Sequence, residues 1–484
     1  MAESSNESQP VLPEYVRQSA IRAAIKLGFT PDQFQVSYEA GSNCDGLVGE
    51  IHRVIITEAD RTEDLFCKIP PLNAARREQF NSMTLFEREV QLYSTVLPAM
   101  FEFQREKGLC DAEGFFNVPK CYLTLFDAEN DESVILMENL RNKGYRMGNK
   151  VELVDYDHAQ LVMTHLGRFH GLSFALRDQK PELFAKFKLP DVLLPTFKAS
   201  EQLVAMFEDA LENAISLLGP EEETERSKMK ALKADHIAAL ETCLDGSRAE
   251  PYAVLNHGDC WTNNIMYGYK DGKPIELALI DWQLTRCVSP ALDVLYFLFC
   301  CTDAKFRGKH FEEMLQVYHT SLTALLERLG SDPKELFPFA VFQEQLKAFA
   351  KFSIIMAAFD VPILCTDPAE MPDLNGDLAE GFAASPEAQM RYAYRMGGII
   401  RDAVRIAKFD KITRIYGKLH PRKTKASIDT VAAVRFHVLA RQHSRNMSEK
   451  SFVGPLQGSI GVCIDGYRPW FGFVSTVTGI NKSP

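Results

Sequence analysis

The densest set of chemically useful side chains lies between Val254 and Gln283, VLNHGDCWTNNIMYGYKDGKPIELALIDWQ. An apolar entry, Val254 and Leu255, leads into a polar loop that carries His257, Asp259 and Asn264. Ile265-Met266-Tyr267 then faces Leu277-Ala278-Leu279-Ile280 across Lys270-Asp271-Gly272-Lys273, a glycine-containing turn that predicts a hairpin. Asp281 follows directly. The hairpin thus clamps a loop bearing one Asp and one Asn against a second Asp. Three oxygen-bearing side chains converging at strand ends suit a hard cation such as magnesium, together with a positioned hydroxyl. A tight turn with a capping Asp, and an Asp281 that merely ends a strand, would account for each residue singly. It does not account for the ordered set.

That order resembles the H-x-D-x-x-x-x-N … D pattern of the protein-kinase-like phosphotransferases. In their chemistry the loop Asp accepts the proton of the substrate hydroxyl, while the loop Asn and the later Asp hold the metal. The corresponding positions here are Asp259, Asn264 and Asp281.

Upstream elements must position these groups. Val16, Ala20, Ala23, Ile25 and Leu27 recur at helical spacing, which predicts a helix over Pro13–Gly28 with Gly28 as its stop. Strand, glycine-rich turn and strand follow as Phe34–Tyr38, Ala40–Gly49 and Ile51–Thr57. Gly41, Ser42, Asn43 and Gly46 in that turn are suited to bring backbone N–H groups onto phosphates. The turn is no P-loop, because Leu47-Val48 stand where Lys and Ser/Thr are required. An ordinary hairpin explains it equally well.

Lys68 sits in the apolar run LFCKIP, and Glu89 borders the apolar face, Phe86, Val90 and Tyr93, of the helix FEREVQLY. A strand Lys and a Glu on the following helix form the ion pair with which kinases orient nucleotide phosphates. Solvated surface charge is the alternative, and it suits Glu87 better. Val118–Phe126 and Ser133–Met137 read as further strands. The second ends in Met137-Glu138-Asn139-Leu140, where Glu138 and Leu140 mark a hinge able to present backbone groups to adenine.

From Asp155 the pattern turns helical. Helices are expected at Tyr156–Leu176, Met206–Leu218, Met229–Leu244, Phe311–Leu329, Leu336–Met356 and Pro386–Lys408. His170 in the first reads as a satisfied core histidine. Asp293, in the first turn of a buried helix after Ser289-Pro290, complements the helix dipole or ties the helix to the Asp259 loop. The first, structural role is the expectation. Ser385 caps the last helix, and Gly397-Gly398 are expected to interrupt it. Residues 421–484 are less regular.

Composition bounds the rest. The 484 residues are 46% hydrophobic and 25% charged, as in ordinary globular proteins, and the net charge of −11 disfavours nucleic acid and anionic membranes as partners. No apolar stretch of bilayer length without a charge is expected, Val288–Cys301 being short and containing Asp293. The polar, acidic beginning MAESSNESQP argues against a secretory or mitochondrial leader. The 11 cysteines are scattered without a CxxC pair, as reduced thiols would be. A cytoplasmic setting is expected.

With these residues together, the chain resembles the ecdysteroid-kinase-like (CHK kinase-like) family, itself related to choline kinases and aminoglycoside phosphotransferases. The likeness runs from Tyr38 to Leu419 through the glycine loop, CKIPP, LFEREVQLY, ILMENL, GRFHGLSFAL, NHGDCWTNNIM and ALIDWQLTRCVSPALDVLYFL. It implies an α+β, two-lobed protein-kinase-like fold. Residues 1–140 would form a nucleotide-binding N-lobe with an antiparallel sheet and residues 141–420 a mostly helical C-lobe. Residues 421–484 would be a C-terminal extension of open role. It also implies ATP- and magnesium-dependent phosphorylation of a small-molecule hydroxyl, an ecdysteroid or similar apolar alcohol. Lys68 would then contact nucleotide phosphates, held by Glu89, with Asp259 as base. Asn264 and Asp281 would be magnesium ligands, and His257 would brace the loop. Trp282-Gln283 replace the Phe-Gly of protein kinases, so no mobile flip of that segment is expected. A choline- or ethanolamine-type kinase and a catalytically silent binding module are the alternatives. Asp360 and the tryptophans are candidate acceptor contacts, with core packing the preferred explanation.

Overall fold

The computed structural model describes residues 11–41, 48–187, 189–371, 382 and 385–406. Ser42, Asn43, Gly46 and the 421–484 extension lie outside them. The chain divides into two compact units, Met1–Ile412 and Thr413–Pro484; everything below concerns the first.

Five strands make the first sheet: β1 (Gln35–Ala40), β2 (Glu50–Glu58), β3 (Arg61–Ile69), β4 (Cys121–Asp127) and β5 (Glu132–Glu138). All pairings are antiparallel, in the order β1-β2-β3-β5-β4. Helix α1 (Glu14–Lys26) buries Val16, Ala20, Ala23 and Ala24, and this face joins Val54, Ile56, Leu65 and Val134 in one apolar core. The next helices are α2 (Ala74–Gln79) and α3 (Ser82–Gln91). A π-helical turn, Leu92–Val96, leads from α3 into α4 (Leu97–Glu106).

Beyond the hinge the chain is mostly helical. Asp155 caps α5 (Tyr156–Gln179) by accepting from His158 N–H at 3.0 Å, and Ser200 caps the later helix Glu201–Ser216 in the same way. The expected helix over 229–244 is two, Glu223–Ala234 and His236–Leu244, broken at Asp235. Short strands β6 (Arg146–Met147), β7 (Val254–Asn256), β8 (Ile265–Lys270), β9 (Lys273–Leu279) and β10 (Arg286–Val288) frame the loop of interest. The hairpin has the expected register, Ile265 opposite Leu279 and Tyr267 opposite Leu277. The described architecture is the two-lobed, protein-kinase-like α+β fold.

Two expectations are corrected here. The helix expected to end at Met356 runs from Phe339 to Cys365, straight through Pro362. Proline removes one N–H and bends a helix without having to end it where both flanks are buried. Together with the turn before it, Pro333–Cys365 is long and apolar enough to cross a membrane by length and composition. Its most apolar window is 78% buried inside the fold, which marks a core helix. Gly397-Gly398 do not interrupt the last helix, Pro386–Ile406. A Cβ on Gly398 would stand 2.8 Å from the Ala304 Cβ, so the glycine permits close packing instead. The nine cysteines among the described residues are all free thiols.

Candidate active site

The site forms where the sheet faces the helical lobe. Strand β3 presents Lys68 and helix α3 presents Glu89, both nearly excluded from solvent. Lys68 Nζ donates to Glu89 Oε2 at 2.6 Å and to Asp281 Oδ1 at 2.8 Å. One cation therefore joins strand, helix and the end of the hairpin. Burial works against the Lys68 ammonium, but Asp281 and Glu89 more than offset it and hold its pKa above the ordinary lysine value. Burial raises the Glu89 carboxyl, with Lys68 opposing and Asp281 adding to the rise. Glu89 also accepts from Trp282 N–H through Oε1, at 3.3 Å.

Asp281 has φ 65°, in the left-handed region that few residues other than glycine adopt. That turn carries the chain from β9 back toward Lys68. Trp282 behind it is fully buried, donates Nε1–H to Leu279 O at 3.2 Å and meets His257 and Phe169 ring to ring at 4.5 and 5.1 Å. The replacement of Phe-Gly by Trp-Gln thus gives a packed wedge.

The Asp259 loop is held from several directions. His257 Nε2–H donates to Ile280 O at 2.9 Å, and its Nδ1 accepts from Asp259 N–H at 3.3 Å, which fixes the tautomer. Burial lowers the His257 pKa, in keeping with a neutral ring. Gly258 has φ 88°, and a Cβ there would stand 2.1 Å from Leu284 O, so no other residue fits. The helix after Ser289-Pro290, Ala291–Cys301, supplies Asp293, whose Oδ2 accepts from His257 N–H at 2.6 Å and whose Oδ1 accepts from Gly258 N–H at 2.9 Å. His170, 3.2 Å from Oδ2 and 2.8 Å from the Tyr318 hydroxyl, completes the anchor. Burial would raise the Asp293 carboxyl, yet these bonds and the nearby histidines hold it below its ordinary value. Asp293 is therefore the tie to the loop, not the dipole partner expected from its first-turn position. His170 is the satisfied core histidine expected.

Asp259 opens onto the cleft. Its Oδ2 accepts from Asn264 Nδ2 at 2.8 Å and its Oδ1 from the Tyr296 hydroxyl at 2.8 Å. Burial and the Asp281 charge push its pKa up to about 6 against those two hydrogen bonds. Asn264 gives its amide nitrogen to two acceptor oxygens, Asp259 O and Oδ2, so its orientation is set and Oδ1 is left over. Asp281 likewise engages Lys68 through Oδ1 alone. These two hard oxygen donors fit magnesium, which takes one or two protein oxygens and completes its shell with water and phosphate oxygens. Among the described residues no cluster of three His, Cys, Asp or Glu offers a closed metal site.

Of the hinge residues, Glu138 and Leu140 both line the cleft. Glu138 N–H is engaged by Lys120 O at 2.8 Å, and Leu140 O accepts from Tyr145 N–H at 3.2 Å. Gly41 N–H bonds Ile51 O at 2.8 Å and so extends the β1-β2 pairing. Tyr296 and Arg286 were not anticipated. Arg286 donates to Gly258 O at 3.1 Å and to Asp191 Oδ1 at 3.1 Å beneath the loop. A signal for Tyr296 exists: it lies three residues after Asp293, on the same face of an otherwise apolar helix.

With this geometry the family match is direct, covering residues 43–331 with the model of the ecdysteroid kinase-like family. The chain belongs to that family. No curated protein compared with it matches in sequence. Among solved structures it is similar to an ethanolamine kinase from Plasmodium vivax, at 13% identity over 80% of this chain and 89% of that one, with a TM-score of 0.39. It is also similar to a GDP complex of aminoglycoside 2'-phosphotransferase-IIIa, at 12% over 79% and 97%, TM-score 0.36. A microcompartment-associated aminopropanol kinase matches at 11% over 80% and 97%, TM-score 0.35. Membership of the ecdysteroid kinase-like family rests on the family match, and the roles of residues rest on the cleft itself.

Proposed function

We propose that this ecdysteroid kinase-like protein transfers the terminal phosphoryl group of ATP, with magnesium, to a hydroxyl of an uncharged, largely apolar small molecule of the ecdysteroid type. The observation that carries this reading is the Glu89–Lys68–Asp281 bridge standing in the same cleft as Asp259 and Asn264. Magnesium-bound ATP, when present, supplies the transferable phosphoryl group and the charge that screens it. Lys68, aimed by Glu89, offers a positive charge to phosphate oxygens. Asn264 Oδ1 and the free oxygen of Asp281 offer the cation its ligands. Asp259 orients the acceptor hydroxyl and takes its proton, while His257 and Asp293 keep the loop in place. Phosphoryl transfer asks little covalent work of a protein, so this positioning is most of the catalysis.

One continuous cleft is lined by Lys68, Glu89 and Asp281 as well as by Asp259 and Asp360. Val48, Ile51, Phe66, Met266 and Ile280 give the cleft an apolar lining beside Glu138 and Leu140, suited to a purine. On the far side Leu193, Phe197, Leu203, Met356, Phe359 and Ile363 form an apolar wall. The acidic residue in that wall is Asp360, whose carboxyl burial drives toward the neutral form, with Asp259 adding to the shift. A neutral, apolar wall favours an uncharged alcohol over an ammonium-bearing acceptor such as choline or ethanolamine. A cytoplasmic setting, reducing and supplied with ATP, belongs to the same proposal.

The test is acceptor-dependent ATP consumption by the purified protein with magnesium, across ecdysteroids, other apolar alcohols, choline, ethanolamine and aminoglycosides. Turnover confined to apolar alcohols supports the reading. A preference for choline or ethanolamine refutes the acceptor class, and nucleotide binding without any turnover favours a silent binding module. A pH profile adds a second check. Asp259 must be ionised to accept a proton, and its pKa stands near 6. So kcat/KM should climb between acid and neutral pH with a midpoint near that value, then level off. A profile flat through that range would remove Asp259 as the base.

A further inference from the structure

The Tyr296 hydroxyl lies between two carboxyl groups, 2.8 Å from Asp259 Oδ1 and 2.9 Å from Asp360 Oδ2. Tyr296 is fully buried and Asp360 is 6% exposed. A phenol carries one proton and can donate one hydrogen bond. Two ionised carboxylates at those distances would leave one oxygen pair facing each other without a proton between them, at a Tyr296 side chain that is itself closed to solvent. The contact is satisfied in both directions only if one carboxyl is itself protonated and donates to the Tyr296 oxygen.

The surroundings say which one. Asp259 has a second donor, Asn264 Nδ2, on its other oxygen, and opens to the cleft. Among the described residues Asp360 has no donor besides Tyr296, and its neighbours Met356, Phe359 and Ile363 are apolar. Phe359 in turn stacks on Phe207 at 4.4 Å and 6°. Burial disfavours an ionised Asp360, and no cation among the described residues opposes it.

We propose that Asp360 is held as a neutral carboxylic acid that donates to Tyr296, so that Tyr296 turns its single proton toward Asp259 and fixes that carboxylate. Asp360 and Tyr296 are positioning residues on this assignment, acting through Asp259. With Asn264 on Oδ2 and Tyr296 on Oδ1, the carboxylate cannot rotate, and each oxygen keeps one lone pair for the acceptor hydroxyl. The helix positions explain the arrangement. Asp293 and Tyr296 share one face of Ala291–Cys301, the first holding the backbone of the Asp259 loop and the second its carboxylate. The kinetic part of this inference rests on the phosphotransferase reading above, while the protonation state does not.

The test pairs kinetics with vibrational spectroscopy on the full chain. Asn at position 360 keeps a side-chain donor for Tyr296, whereas Leu does not. Asp360→Leu and Tyr296→Phe should each lower kcat about tenfold, equivalent to about 1.4 kcal/mol in the barrier, with KM for ATP little changed. Asp360→Asn should recover most of that loss. Infrared difference spectra of wild type against Asp360→Asn should show the carbonyl stretch of a protonated carboxylic acid at neutral pH, present in wild type and absent in the variant. An Asp360→Asn protein as slow as Asp360→Leu would overturn the proposal. So would a wild-type spectrum without the acid band, and that measurement needs no acceptor. Should wild type turn over no acceptor at all, the phosphotransferase reading fails, and the band alone still decides the protonation of Asp360.

Discussion

Asp259→Asn is expected to lose about 10³-fold in acceptor phosphorylation, the range typical for removing a positioned general base. The substitution is nearly isosteric, so the loop should survive it. His257 N–H and Gly258 N–H remain on Asp293, and Arg286 remains on Gly258 O. Asn at 259 keeps one acceptor oxygen, so it holds only one of the two donors, Asn264 Nδ2 and the Tyr296 hydroxyl, that the carboxylate holds. Nucleotide affinity should stay within about threefold of wild type, since Lys68, Glu89 and Asp281 are untouched. Single-turnover assays with a confirmed acceptor, alongside nucleotide titration, check both halves. Near-wild-type turnover would take the base role away from Asp259.

Lys68→Met should cost both activity and stability, for one physical reason. Lys68 is the cation shared by Glu89, which is 1% exposed at the side chain, and Asp281. Taking one member from a buried ion pair costs about 3–5 kcal/mol, because the remaining charge is left without compensation. Glu89 has a way to relieve that charge by taking up a proton, and burial already pushes its pKa upward. In the variant its folded-state pKa rises further above the unfolded value. Stability from a group of that kind is present at low pH and lost as pH rises through the folded pKa. The destabilisation by Lys68→Met should therefore be smallest in mildly acidic buffer and grow toward neutral pH and above. Denaturant unfolding at several pH values checks the sign. A pH-independent deficit would mean that Glu89 stays ionised, or is solvated, without its lysine. Activity should fall at every pH, because Met offers phosphate oxygens no charge.

Much of this site was legible as text. The order Lys68, Glu89, Asp259, Asn264, Asp281 is carried by local patterns: a Lys within a strand run, a Glu beside a helical apolar face, a polar loop before a hairpin. Each pattern lies within some ten residues, where periodicity and turn chemistry dominate. The pairing of Ile265–Tyr267 with Leu277–Leu279 followed for the same reason, although a shift between Gly268 and Tyr269 separates it from the turn register. The glycine-loop residues Ser42, Asn43 and Gly46 lie outside the described residues, and Gly41 is seen only completing the β1-β2 ladder.

Where local pattern misled, tertiary packing was the competing influence. The helix expected to end at Met356 runs on through Pro362 to Cys365 between buried flanks, and so places Asp360 in the cleft wall. Gly397-Gly398 read as a break, yet neighbouring Ala304 needs the space that a glycine leaves. Asp293 reads as a dipole partner because it stands in a first turn; the loop that it holds lies 36 residues earlier in the chain.

The sequence by itself determined which functional groups the protein has, and in what order two lobes deliver them. Short-range rules of strand, turn and helix suffice for that. Only the tertiary structure decided that Tyr296 stands between Asp259 and Asp360, 37 and 64 residues away respectively. It alone decided that Lys68 reaches Asp281 across 213 residues of chain. Contacts of that range depend on how each helix is rotated and how deeply it is buried. Those variables are set by the packing of the whole lobe; the three-residue spacing of Asp293 and Tyr296 marks a shared helix face but not what that face meets.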